Sequence, residues 1–86
     1  MAISYYRKRL ETKTRDLKRV TIESLDPNIE YTVLVAREFR NPNRKPTYSI
    51  LIFNYYTDGK SGLSDSINFK DAKTMLEIFT IKSIIN

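Results

Sequence analysis

The sequence contains neither cysteine nor histidine. Without cysteine it has no disulfide, no thiolate nucleophile and no thiolate metal ligand. Without histidine it lacks the usual general acid–base side chain, the Ser-His and Cys-His pairs, and the ligand most zinc and copper sites depend on. Only carboxylates, lysines and tyrosines remain for chemistry, and no base is evident beside the serines. Enzyme activity and a cofactor are therefore not expected. Asp58, Asp65 and Asp71 share no metal-ligand spacing, and Asp58 and Asp71 read as turn and cap residues, so no metal site is expected either. Both glycines fall in TDGKSG, which has neither the length nor the placement of a phosphate-cradling loop and reads as a turn. No run of 18 apolar residues occurs, so a membrane-spanning helix is not expected. The opening MAISYYRKRL turns basic before any apolar core develops, which argues against a secretory signal and makes the cytoplasm the expected compartment.

What the chain does have is positive charge, unevenly placed. Its 86 residues carry a net +5 and suit one domain, near the size at which a single core becomes marginal. Residues 1–20 hold seven basic groups (Arg7, Lys8, Arg9, Lys13, Arg15, Lys18, Arg19) against Glu11 and Asp16, whereas residues 21–86 hold eight of each sign. Within that neutral remainder, REFRNPNRKPTY (37–48) is a local excess: Arg37, Arg40, Arg44 and Lys45 against Glu38 alone. Two basic segments on a neutral body point to an acidic partner, of which nucleic-acid phosphate is the commonest. Ile, Lys, Asn and Tyr, all with AT-rich codons, number 10, 8, 6 and 6. That bias is frequent in small phage and mobile-element proteins.

The apolar pattern orders the elements. Ile3, Tyr6, Leu10, Leu17 and Val20 recur at helical spacing, which predicts a basic helix over about 3–17, with a disordered arm as the alternative. KRVTIESL alternates as a short strand and ends at the turn Asp26-Pro27-Asn28. In IEYTVLVAREF, Tyr31, Val33, Val35 and Phe39 share one face and Thr32, Leu34, Ala36 and Glu38 the other; both are apolar at mid-strand, as in a central strand. TYSILIFNYYT repeats the alternation, and an antiparallel pair is the simplest connection. Asp58-Gly59 signals a tight turn into KSGLSDS, a polar fourth strand suited to an edge. A helix follows, with Asn68 expected as N-cap, Asp71 at N3, and Phe69, Ala72, Met75, Leu76 and Phe79 on its core stripe. Ile78, Ile81, Ile84 and Ile85 extend the apolar character round the helix, as an oligomer interface would.

The expected fold is a small two-layer α+β domain: an antiparallel sheet of three to four strands packed by a C-terminal helix, with a basic N-terminal helix or arm. Residues 1–18 form the arm and 19–86 the domain. Over about residues 31–80, four strands followed by SINFKDAKTML resemble the layout of the positive-cofactor-four class of single-strand-binding coactivators. The likeness is one of element order and hydrophobic pattern, with no diagnostic motif, and no residue role is carried over from it.

The leading function is a non-enzymatic binding protein, a homodimer in this reading, that contacts nucleic-acid phosphates. Arg7, Lys8, Arg9, Arg15, Lys18 and Arg19 would act from the arm, and Arg40, Arg44 and Lys45 from the hairpin loop. Tyr6 or Tyr56 would stack bases. Pro42 and Pro46 stiffen the loop, which lowers the entropy lost when it binds. The alternative is a small phage or mobile-element inhibitor, anti-CRISPR-like, whose cations dock on an acidic or nucleic-acid-binding surface of a host protein.

Overall fold

Period-two alternation of β-branched and aromatic residues makes IEYTVLVAREFR and TYSILIFNYY the natural centre of a sheet. The structure, a computed structural model, describes residues 12–85. Its elements run β1 (Lys13–Ile22), β2 (Ile29–Arg40), β3 (Thr47–Tyr56), β4 (Ser61–Phe69) and α1 (Ala72–Ile85). All neighbouring strands are antiparallel in the order β1-β2-β3-β4, so β2 and β3 are central and β1 and β4 are edges.

Each connection has a local cause. In the first turn the Asn28 N–H donates to Asp26 Oδ1 at 2.9 Å and the Ile29 N–H to the Asp26 carbonyl at 3.0 Å. In the second hairpin the Arg44 N–H donates to the Asn41 carbonyl, Pro42 supplies the first central position, and Asn43 takes φ 64° at the next. A type II turn requires that left-handed residue, and asparagine tolerates it. Gly59, at φ 88°, closes the third turn.

The sheet separates two apolar clusters. On one face Leu34, Ala36 and Ile50 pack against Met75 and Phe79 of α1, with Leu17, Val20, Ile52 and Phe69 around them. Ile50 and Met75 are fully buried, each contributing on the order of 1.5–3 kcal/mol. On the other face Val33, Val35 and Leu51 form a second cluster with Tyr31, Phe53 and Tyr55, and no residue of α1 joins it. The rings of Tyr31 and Tyr55 stack at 4.6 Å between centroids.

The expected fold class holds: a four-stranded antiparallel sheet packed on a single C-terminal helix. Three local expectations change. Residues 13–17, expected as helix, are strand, so the expected arm boundary at 18 falls inside β1. The long β2 offers backbone partners out to Arg40, and Thr14 alternates with Lys13 and Arg15 to suit a strand. A register slip between Asp16 and Lys18 leaves Leu17 unpaired and on the helix-side core, which is how a residue on the expected helical stripe is used by a strand. The third change is the cap. Asn68 is inside β4, paired with Ser49, and the helix starts later. Asp71 caps it instead, with Oδ1 accepting the Thr74 N–H at 2.8 Å and Oδ2 accepting the Thr74 hydroxyl at 3.1 Å. The rest of the expected arm, including Ile3, Tyr6, Arg7, Lys8, Arg9 and Leu10, lies outside the described residues.

Candidate functional site

Antiparallel pairing carries the start of β1 to the end of β2, and so to the basic hairpin. Lys13 is the register partner of Arg40, and Arg15 of Glu38. The Thr12 hydroxyl donates to Asn41 Oδ1, tying the entry of β1 to the loop. Lys13, Arg15, Glu38 and Arg40 line one shallow depression, and Arg44 and Lys45 project exposed from the adjoining turn. The depression and its adjoining turn thus set five cations against Glu38, the one carboxylate lining it.

That carboxylate organises two of the cations. Glu38 is only 5 % exposed; its Oε1 accepts Arg40 Nε at 3.0 Å and lies 3.5 Å from an Arg15 terminal nitrogen. The Arg40 hydrogen bond is the main cause holding the Glu38 carboxyl below the ordinary carboxylate range. The Arg40 and Arg15 charges and the Tyr48 hydroxyl act the same way, while desolvation opposes them. In return the Glu38 hydrogen bond raises Arg40 above the ordinary guanidinium value. Both arginine side chains remain about two-thirds exposed, so one face of each is satisfied by Glu38 and the rest faces solvent. Arg44 and Lys45 form no ion pair among the described residues. The depression can accept an anion with several oxygens, in the way clustered guanidinium and ammonium groups hold phosphate.

The other expected site residues fall elsewhere. Lys18 and Arg19 are exposed at mid-β1, opposite Ala36 and Val35 and so on opposite faces of the sheet. Cations there also discourage edge-to-edge pairing of β1. Tyr56 is exposed but ends β3, whose first residue adjoins the loop; at strand rise that places it roughly 30 Å from the basic end. Tyr48 is the register partner of Glu38 and packs against the helix-side core. Arg37 is held by Asp16 at 2.6 Å on the face away from the helix. Lys13 was missed as a site residue because it fell within the expected helix over about 3–17; period-two reading from Thr12 onward puts it on the same strand face as Arg15. Ile81 and Ile84 are 50 % and 76 % exposed, whereas Ile78 packs on the core and Ile85 closes the helix.

Among the described residues no group of three or more His, Cys, Asp or Glu could hold a metal, and no helix is long and apolar enough to cross a membrane. Asp58 Oδ1 accepts the Lys60 N–H and Asp65 Oδ1 the Ser66 N–H, so both serve the local backbone. Site and fold together define a small α+β domain with one cationic end. Comparison of the chain with protein-family models, curated proteins and solved structures finds no match. The likeness in element order to the single-strand-binding coactivators gains no support from these comparisons.

Proposed function

We propose that this chain is a non-enzymatic, cytoplasmic nucleic-acid-binding protein that holds phosphates at the hairpin end of its sheet. The carrying observation is the gathering of Lys13, Arg15 and Arg40 with Glu38 in one depression, with Arg44 and Lys45 exposed on the adjoining turn. Arg15 and Arg40 are preorientated by the buried carboxylate, so less side-chain entropy is lost when they meet an anion. Arg44 and Lys45, on a turn stiffened by Pro42, extend the surface along a second stretch of backbone. Lys18 continues it along the helix-side face of β1, whereas Arg19 lies on the other face. A gel-retardation assay at about 150 mM salt tests this: micromolar binding to single- or double-stranded DNA or RNA is expected. No retardation, with a host protein co-purifying instead, would favour the inhibitor reading, in which the same cations meet an acidic protein surface.

A homodimer is part of the proposal. Ile81 and Ile84 share one exposed face of α1, and α1 ends beside the β1–β2 turn, where Leu25 is fully exposed. This apolar end is opposite the cationic one, so self-association through it would leave both phosphate-binding ends free.

A further inference from the structure

Around the corner from the cation cluster, the same end of the sheet holds a groove that phosphate binding alone does not use. Phe39, Thr47, Ser49, Asn68, Phe69 and Lys70 line it, with a volume of about 510 Å³. That is the size range of small-molecule sites and ample for a nucleobase with its sugar.

Three features give the groove a chemistry. Phe39 is half-buried yet belongs to neither apolar cluster, and its cross-strand partners are Thr14 and Thr47. An aromatic side chain this close to a charged loop, with no core to fill, is available to stack. Asn68 accepts the Ser49 hydroxyl at 2.7 Å through Oδ1, which fixes its amide and leaves the Nδ2 donors uncommitted among the described residues. Lys70 stands on the rim without an ion pair among the described residues. Phe39 immediately precedes Arg40, and Thr47 follows Pro46, so the groove opens directly onto the basic loop.

We propose that this groove receives one unpaired base of a single-stranded nucleic acid. The base stacks on Phe39, a base carbonyl accepts from Asn68 Nδ2, and the flanking phosphates lie on Lys70 and the Arg44–Lys45 turn. A duplex keeps its bases stacked on one another and cannot offer one to the ring, so the groove selects single strands. The inference rests on the phosphate-binding reading and adds strand preference to it.

The test uses a ten-nucleotide single strand carrying 2-aminopurine, the matching duplex, the full chain, and its Phe39→Leu and Phe39→Tyr variants. Wild type is expected to prefer the single strand and to quench the 2-aminopurine. Phe39→Leu should weaken single-strand binding about 5- to 150-fold, the range for one lost base–aromatic stack, abolish the quench, and leave duplex binding unchanged. Phe39→Tyr keeps the ring and should keep both, which separates stacking from any loss of folding. Equal affinity of wild type for duplex and single strand, or an unaltered Phe39→Leu, overturns the groove while leaving phosphate binding intact. Binding of neither nucleic acid overturns both.

Discussion

Replacing Arg44 and Lys45 together by alanine separates charge from fold at the proposed site. Neither side chain has an ion pair among the described residues, and both are exposed on a turn held by Pro42, Asn43 and a backbone hydrogen bond. Stability should therefore change by no more than about 0.5 kcal/mol. Binding should change in a specific way. Each phosphate contact contributes roughly 0.7–0.9 to the slope of log affinity against log salt, so losing two flattens the slope by about 1.4–1.8. Between 50 and 200 mM salt, the affinity lost by wild type should then exceed that lost by the double variant by about 7- to 12-fold. Arg40→Ala is the informative contrast. It also removes a phosphate contact, but it leaves the buried Glu38 with Arg15 alone, at 3.5 Å, so its melting temperature should fall as well. Fluorescence anisotropy over a salt series, with thermal melts of all three proteins, measures both quantities. A double variant with the wild-type salt slope would refute the assignment of the loop, since two unpaired cations cannot contact phosphate without contributing to it.

Phe79→Ala should cost about 3–5 kcal/mol in urea unfolding, because Phe79 joins α1 to the helix-side core; a cost below about 1 kcal/mol would mean the helix is not docked there. Asp71→Ala removes the cap of α1 and should lower the melting temperature by roughly 4–8 °C, with Asp71→Asn recovering most of the loss. Glu38 and Asp71 both have folded-state carboxyls below the ordinary range, Asp71 chiefly through the Thr74 backbone hydrogen bond. The native state therefore binds fewer protons than the unfolded chain in acid. Their stabilisation is complete above the ordinary carboxylate range and is lost as pH falls below about 4 toward the folded values. Melts between pH 7 and pH 3 should show this decline, and a melting temperature that rises on acidification contradicts it. Ile81→Asp with Ile84→Asp should give a folded, smaller species by light scattering; a wild type already monomeric at high concentration removes the dimer.

The two central strands were legible because their alternation is strong and their faces are unambiguous: Leu34 and Val35 point to opposite clusters as the sequence implies. The polar edge strand was legible from Asp58-Gly59 and its charges. The helix cap was not, because Asn68 satisfies the local rule for a cap while a distant partner, Ser49, holds it in the sheet. The start of β1 was misread for a related reason. Leu10, Leu17 and Val20 match a helical period, but a bulge lets Leu17 reach the core from a strand, and no local pattern announces a bulge. The loop cations were legible as a charge excess. Their convergence with Lys13 and Arg15 was not, since it comes from the antiparallel register that pairs Lys13 with Arg40 and Arg15 with Glu38, far apart in the chain. The role of Glu38 as the buried organiser of two arginines likewise required the pairing of β1 with β2.

The cationic end of the sheet is tested most directly by titrating the isotopically labelled protein with a short single-stranded oligonucleotide and following its backbone amide resonances. Shifts should concentrate at residues 12–15, 39–47 and 68–70 and should fade as salt is raised. Shifts confined to the opposite end, around Leu25, Tyr56 and Ile81, or no shifts at all at low salt, would contradict the account.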